Sequence, residues 1–124
     1  MKHVLVAEDD TEMRKLVAEA LRGEGYRVTE VASGNALLGH LHTSLSFGVP
    51  DAPDLVVSDV RMPGWNGLEV LAIAQGLACP PMLLITAFGD RETHRLAGEL
   101  GAAAMIDKPF DIDDLLGRVR EILA

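Results

Sequence analysis

The sequence has little of three things: cysteine, positive charge and long apolar runs. Cys79 is the only cysteine, which excludes an internal disulfide and predicts a reducing compartment. No apolar run is long enough to cross a bilayer, and the first residues show no signal-peptide pattern, so we expect a cytoplasmic protein with no membrane partner. Lys and Arg number 11 against 19 Asp and Glu, for a net charge of -8. That charge disfavours direct nucleic-acid binding, because phosphates would be repelled.

The chain does contain many apolar residues, arranged in short, regularly spaced runs. Hydrophobic residues make up 48% of 124 residues, which is typical of a folded chain and enough for one domain over residues 1–124. Five short apolar runs alternate with five segments of helical periodicity. The predicted strands are residues 4–7, 26–31, 54–59, 82–85 and 103–106. The predicted helices are residues 11–24, 35–45, 67–77, 89–100 and 111–123, with Thr11 and Asp111 as caps and Gly25 as a stop.

This alternation predicts a parallel sheet with helices on both faces. Right-handed crossovers favour the strand order 2-1-3-4-5, giving an α/β protein with a three-layer α/β/α sandwich of flavodoxin-like topology. In such a sheet the carboxyl ends of all strands lie at one edge, where ligands bind.

Polar side chains follow four of the five predicted strands. Each alone has an ordinary explanation as a helix cap, a turn residue or a surface charge, but their joint position at one edge is not expected by chance. The residues are Glu8, Asp9 and Asp10 after the first strand, Asp59 at the end of the third, Thr86 after the fourth and Lys108 after the fifth.

Carboxylates gathered at one edge need a cation. Two like charges about 4 Å apart cost about 4 kcal/mol at an effective dielectric near 20. A ligand set of oxygens alone favours Mg²⁺, with Mn²⁺ as the alternative, over zinc. Thr86 would donate a hydrogen bond to a phosphoryl oxygen and Lys108 would supply a point charge. With Asp59 as the nucleophile, these are the parts needed to form an acyl phosphate.

The segments VLVAEDD, SDVRMPGWNGLEVL, LLITA and DKPF resemble, in that order and over the whole chain, the motifs of the receiver domains of bacterial two-component response regulators. The resemblance implies that Asp59 is the phosphoacceptor and that Thr86 and Lys108 assist it. It also implies a cis peptide bond before Pro109. The metal would be held by Asp9 directly, by Glu8 through water, by Asp59 and by the backbone carbonyl of Arg61.

The resemblance also implies a signalling role. Asp59 would accept a phosphoryl group from a sensor histidine kinase or a phosphotransfer protein. The chain would catalyse only its own phosphorylation and dephosphorylation, and would not be an enzyme for other substrates. An output domain, a partner or a second copy forming a homodimer would bind the face built from three elements: the helix from Gly89 to Leu100, the strand from Ala103 to Ile106 and the helix from Asp111 to Leu123.

Three features depart from the usual receiver pattern or stand outside it. The chain is several residues longer than usual from Ser46 to Pro53, which we expect to lengthen a helix end or loop away from the site. Met105 occupies the position of a frequent aromatic switch residue, and we interpret it as core packing. Trp65, in the loop after Asp59, is interpreted as a loop or partner contact and not as a catalytic residue.

Other functions remain open from the sequence. The first is a receiver-like interaction module that works without phosphorylation, which the intact polar set disfavours. The second is a phosphatase-type hydrolase, which usually has a second carboxylate close after the nucleophile, where this chain has Val60, Arg61 and Met62. A flavin-binding protein would need a phosphate cradle where the chain has acidic residues. The domain is expected to be either free-standing or part of a longer regulator.

Overall fold

The computed structural model describes residues 1–47, 52–74, 79–87 and 90–124. Strands and helices alternate along these residues, as predicted. The strands are β1 (His3–Ala7), β2 (Arg27–Val31), β3 (Leu55–Asp59), β4 (Met82–Ala87) and β5 (Ala104–Lys108). The helices are α1 (Thr11–Gly23), α2 (Gly34–Phe47), α3 (Gly67–Ala74), α4 (Arg91–Glu99) and α5 (Ile112–Leu123).

The strands form one parallel sheet in the order β2-β1-β3-β4-β5. Every neighbouring pair is parallel, with β1 between β2 and β3 and β4 between β3 and β5. The predicted fold class and strand order are therefore confirmed. The central strands β1 and β3 are buried at all 5 positions, because helices cover both faces and apolar side chains are needed on each.

The core consists of two apolar layers, one on each face of the sheet. The α1–α5 layer lies between the sheet and those two helices and includes Val6, Val57, Leu21 and Leu115. The α2–α4 layer lies on the opposite face, where the sheet packs against the other three helices. Met105 is partly buried and packs against this second layer, in agreement with its interpretation as a core residue.

The helix ends agree with most of the predicted signals. Gly25 has φ of 96° directly after the C-cap of α1, a backbone conformation that favours glycine. The predicted cap of α1 at Thr11 is wrong. Asp10 is the N-cap, because its Oδ1 accepts a hydrogen bond from the Met13 amide at 3.1 Å, and Thr11 is the first helical residue. Asp111 is the N-cap of α5 through its backbone, without a side-chain hydrogen bond.

Several predicted boundaries lie partly outside the described residues. These are the end of the third helix at Leu77, the start of the fourth at Gly89 and part of the long segment from Ser46 to Pro53. Within the described residues, α4 begins at Arg91 after the N-cap Asp90. No helix in these ranges combines the length and apolar character needed to cross a bilayer.

Candidate functional site

Side-chain alternation along the strands places three charged residues on the same face of the sheet. Successive side chains of a strand point to opposite faces, so residues two apart share a face. Glu8, Asp59 and Lys108 each follow by two residues a member of the α1–α5 layer: Val6, Val57 and Ile106. Apolar packing below them therefore sets the direction of the three charged side chains at the carboxyl edge.

The register of the sheet places these strand ends at one level. Ala7 pairs with Ser58, and Asp59 pairs with Ile85. The Val60 amide donates to the Ile85 carbonyl at 2.9 Å, so the backbone stays in the sheet one residue beyond Asp59. The Asp59 carboxylate is therefore held by strand geometry, although a loop follows directly.

Three carboxylates meet at this edge. Single carboxylate oxygens of Glu8, Asp9 and Asp59 all lie within 4.8 Å of one another. Glu8 is 3% exposed and Asp59 is 6% exposed, whereas Asp9 is exposed to solvent. The site thus has two buried acidic groups and one that faces water, the arrangement in which a bound cation keeps part of its hydration shell.

Lys108 connects two of these carboxylates. Its Nζ donates to Asp59 Oδ2 at 2.8 Å and to Glu8 Oε1 at 3.2 Å. Burial by itself would lower the pKa of Lys108, but the hydrogen bond and charge of Asp59, together with those of Glu8, raise this pKa above its usual range. Lys108 therefore keeps its positive charge at the site. The Lys108–Pro109 peptide bond is cis, as the resemblance implied.

Glu8 has an unusual protonation equilibrium. Burial, followed by the hydrogen bond and the charge of Asp59, raises the pKa of Glu8 to about 7. The Asp10 amide, which donates to Glu8 Oε2 at 3.3 Å, and the charge of Lys108 oppose this rise. Near neutral pH, therefore, the carboxyl group of Glu8 lies between its protonated and ionised forms although Lys108 lies beside it.

The donor set fits a hard divalent cation. All three candidate ligand groups supply oxygen, and oxygen ligands are what Mg²⁺ and Mn²⁺ bind, with water completing the shell. Burial first, and then the hydrogen bond and the charge of Asp59, raise the pKa of Glu8, so two buried carboxylates at this edge disfavour full ionisation. A divalent cation among these oxygens would relieve that repulsion.

The remaining predicted residues, Thr86 and Arg61, lie at the same edge of the sheet. Thr86 is 3% exposed and lies near the end of β4, one residue after the partner of Asp59. Within the described part of the chain, its hydroxyl makes no hydrogen bond to Asp59. Arg61 is exposed two residues after Asp59, and the role of its backbone carbonyl stays a prediction.

Sequence reasoning missed one residue that contacts the site. Arg14 Nη1 donates to the Glu8 carbonyl at 2.9 Å, and Arg14 Nε donates to Glu30 Oε1 at 3.3 Å. Arg14 occupies an ordinary position in the first turns of α1, and its partner Glu30 lies on β2. Only the packing of α1 against β2 brings them together, so no local pattern marks this contact.

Comparison with known proteins identifies the family to which the chain is similar. The family model described as the response regulator receiver domain matches residues 4–120. The transcriptional regulatory protein PdtaR of Mycobacterium tuberculosis is 35% identical over 99% of this chain and 60% of its own length. CpxR of Escherichia coli, also a transcriptional regulatory protein, is 33% identical over 99% of the chain and 50% of its own length. The chain therefore spans 50 to 60% of the length of these two relatives.

Solved structures give the same result. A response regulator of Chloroflexus aurantiacus has a TM-score of 0.86 and 30% identity, covering 98% of this chain and 97% of its own. The BeF3-activated receiver domain of DrrB from Thermotoga maritima has a TM-score of 0.83 and 28% identity, covering 99% and 97%. Since the family model matches nearly the whole chain and these neighbours share its fold, this protein belongs to the response regulator receiver domain family, which works in two-component signalling.

Proposed function

We propose that this domain accepts a phosphoryl group on Asp59 from a phosphohistidine of a sensor histidine kinase or a phosphotransfer protein. Mg²⁺, or Mn²⁺ in its place, would be bound by Glu8, Asp9, Asp59 and the backbone carbonyl of Arg61. The modified domain would then act on an output domain or partner. Phosphorylation and dephosphorylation of its own Asp59 would be the only reactions it catalyses.

The contact between Lys108 and the two buried carboxylates is the observation that carries this proposal. Asp59 is a buried carboxylate at a strand end, where it can act as the nucleophile, and the Lys108 ammonium group lies 2.8 Å from its Oδ2. The same ammonium group can follow charge onto phosphoryl oxygens as the bond to Asp59 forms, because it is a compact donor on a flexible stem. An interaction module without chemistry would have no need for this arrangement.

The proposed reaction transfers a phosphoryl group from the donor imidazole to Asp59. A carboxylate oxygen of Asp59 attacks the phosphorus atom and forms the P–O bond of an acyl phosphate. The P–N bond to the donor imidazole breaks, its electron pair stays on the ring nitrogen, and that nitrogen takes a proton from solvent. Lys108 stabilises the charge on the transferred group, and Thr86 donates a hydrogen bond to one of its oxygens. The carboxylate and the phosphoryl group are both negative and repel each other. The bound cation would neutralise part of this charge.

The same face of α4, β5 and α5 predicted from the sequence would transmit the signal. Helix α4 buries only Thr93 and Ala97 among its residues, so little apolar packing opposes its displacement. A groove of about 760 Å³ lies between β5 and α5. The charged residues in its lining are mostly acidic, which favours a partner with basic residues. They are Asp107, Asp111, Asp113, Asp114 and Glu121, with Arg118 as the one basic residue.

The relatives support a regulatory output without identifying it. PdtaR and CpxR are named as transcriptional regulatory proteins, and NtrC of Klebsiella pneumoniae as a DNA-binding transcriptional regulator. We propose that an output domain or partner with such a function receives the signal from this domain. The net charge of -8 disfavours contact between this domain and DNA, so we expect the partner to make any such contact.

The alternative is a receiver-like module that binds its partner without phosphorylation. Met105 gives this alternative some support, because many receiver domains have an aromatic residue at this position that takes part in the phosphorylation switch. The buried cluster of Glu8 and Asp59 with Lys108 counts against it, since unneeded buried charges are costly. Phosphorylation distinguishes the two functions directly.

The test is incubation with Mg²⁺ and acetyl phosphate, and in parallel with a phosphorylated histidine phosphotransfer protein, followed by intact mass measurement. We expect the mass of one added phosphoryl group, and none in Asp59→Asn or in the presence of EDTA. Asp54→Asn is the matched control, because Asp54 accepts a hydrogen bond from the His3 amide just before β3 begins, away from the site. An adduct in Asp59→Asn would contradict the assignment, and no adduct from either donor would favour the alternative.

A further inference from the structure

A partly buried ionic network connects β2, α1 and the loop that carries the acidic cluster. Arg14 in α1 is 15% exposed and Glu30 in β2 is 19% exposed. Arg14 Nε donates to Glu30 Oε1 at 3.3 Å, and Arg14 Nη1 donates to the Glu8 carbonyl at 2.9 Å. One planar guanidinium group therefore joins the edge strand to the first residue after β1.

The Glu8 carbonyl belongs to the peptide that joins two of the candidate metal ligands, Glu8 and Asp9. On the other side of Glu8, its amide donates to the Val31 carbonyl at 3.1 Å. The loop after β1 is thus anchored at Glu8 by two hydrogen bonds, one to β2 and one to α1. A rotation of the Glu8–Asp9 peptide would move both carboxylates, so the Arg14 contact restricts the movement that would open the cluster.

We propose that Arg14 is a positioning residue for the acidic site: anchored by Glu30, it holds the Glu8 carbonyl so that the carboxylates of Glu8 and Asp9 are in place before a cation binds. Its importance for Mg²⁺ rests on the proposed function, whereas its effect on the loop exists in the metal-free protein. The guanidinium fork is required, because it donates from two nitrogens in fixed geometry to two acceptors on different elements.

The direction in which Mg²⁺ affinity changes when Arg14 is removed distinguishes a positioning role from a purely electrostatic one. A positive group beside the cluster opposes cation binding electrostatically, so removal of Arg14 would strengthen Mg²⁺ binding if charge alone mattered. A positioning role predicts the reverse. Loss of groups that orient metal ligands typically weakens metal binding by about 10- to 100-fold, and we expect at least the lower value for Arg14→Ala.

The chain offers a matched control in Arg22, which lies two turns further along α1. Arg22 Nη1 donates to the same carboxylate, at Glu30 Oε2 and 3.1 Å, and Arg22 Nη2 donates to the Val28 carbonyl at 3.1 Å. It therefore makes one ion pair to Glu30 and one bond to a backbone carbonyl, as Arg14 does, but it does not touch the loop of the acidic cluster.

The experiment compares Arg14→Ala, Arg14→Lys and Arg22→Ala with the wild type by two measurements. The first is amide hydrogen exchange at Asp9 and Asp10 in metal-free protein, where the Asp10 amide bonds to the Glu8 carboxylate. The second is Mg²⁺ affinity by calorimetry. We expect faster exchange and weaker Mg²⁺ binding in Arg14→Ala, no change in either for Arg22→Ala, and incomplete recovery in Arg14→Lys, which restores the charge without the fork.

Two results would overturn the inference: equal changes in the Arg14 and Arg22 variants, or Mg²⁺ binding in Arg14→Ala as tight as in the wild type or tighter. If Arg14→Ala does not fold, Arg14→Lys takes its place in both comparisons. A wild type that binds no Mg²⁺ would refute the proposed function, and the exchange rates of the metal-free variants would still decide whether Arg14 positions the loop.

Discussion

Lys108 Nζ lies 2.8 Å from Asp59 Oδ2, although the two residues are 49 positions apart in the sequence. The two residues belong to strands that are separated in the sheet by β4. The long lysine side chain spans this strand, and its ammonium group also reaches Glu8, which is 100 positions away. A single side chain thus connects the first, third and fifth strands at the edge where the chemistry is proposed.

Replacing this lysine should separate metal binding from phosphorylation. In Lys108→Met, Mg²⁺ should bind more tightly at pH 8, because a cation that competes for Asp59 and Glu8 is removed. The phosphorylation rate with acetyl phosphate should fall by about 100-fold, the usual cost of removing a donor that stabilises transition-state charge. Calorimetry and intact mass measure the two effects.

Lys15→Met is the control for charge, since Lys15 is largely exposed and lies 3.9 Å from Glu30, away from Asp59. It should change neither quantity. A Lys108→Met protein that is phosphorylated at the wild-type rate would show that Lys108 has no part in the reaction.

The pKa of Glu8 predicts how the stability of the metal-free protein depends on pH. Burial and the neighbouring Asp59 raise this pKa from 4.5 to about 7, so the folded protein holds the proton more tightly than the unfolded chain. The stabilisation is fully present below pH 4.5 and is lost as the pH rises through about 7. The loss should be on the order of 3–4 kcal/mol, because one pKa unit corresponds to about 1.4 kcal/mol.

Urea unfolding of the wild type and of Glu8→Gln between pH 5 and 8, with EDTA present, measures this contribution. As the pH rises, the unfolding free energy of the wild type should fall relative to that of Glu8→Gln, since glutamine does not titrate. A difference that stays constant across the range would mean that Glu8 has its ordinary pKa.

Gly67 should be intolerant of any side chain because it lies against the segment that carries Asp59. A Cβ atom at this position would lie 2.7 Å from the Asp59 carbonyl oxygen and 3.1 Å from Val60 Cα. Backbone atoms cannot move aside cheaply, so Gly67→Ala should destabilise the fold by about 1–3 kcal/mol and slow phosphorylation of Asp59. Urea unfolding and intact mass test both effects.

Gly39→Ala is the matched control, since Gly39 lies within α2 and its Cβ would meet nothing within 4 Å. This substitution should stabilise the protein by about 0.5–1 kcal/mol, because alanine favours a helix over glycine. Equal stability of Gly67→Ala and the wild type would contradict the close packing against Asp59.

Helix α4 should respond most strongly among the helices when Asp59 is phosphorylated. It buries only Thr93 and Ala97, and a hydrogen bond of 2.5 Å between His94 Nε2 and Asp107 Oδ1 ties it to β5. Asp107 directly precedes Lys108, so a shift of Lys108 toward a phosphoryl group would pull on this bond. Hydrogen exchange in α4 should change on phosphorylation more than exchange in α1, which buries Val17, Ala18 and Leu21.

His94→Ala tests the same coupling without phosphate. Exchange in α4 should be faster than in the wild type, while α1 stays unchanged. If phosphorylation alters α1 as much as α4, the signal does not follow the path from Lys108 through Asp107.

Local patterns were sufficient for most of the fold. Short apolar runs and helical periodicity identified the five strands and five helices, because burial on both faces leaves a continuous apolar signature in each strand. The sequence predicts the cap of α1 one residue late, at Thr11, because Asp10 and Thr11 are both good capping residues and only the folded backbone selects Asp10. The strand order followed from the handedness of the crossovers and not from any single residue.

Residue types and their spacing are enough to predict the element order, the acidic residues after β1, the Asp at the end of β3 and the lysine after β5. Each is a local property of residue type and position. Three further properties arise only when the chain folds: Lys108 contacts both Asp59 and Glu8, burial and Asp59 raise the pKa of Glu8 to about 7, and Arg14 donates to the Glu8 carbonyl. These properties depend on burial and on distances between residues far apart in the chain, which are set only when the strands pair and the helices pack against them.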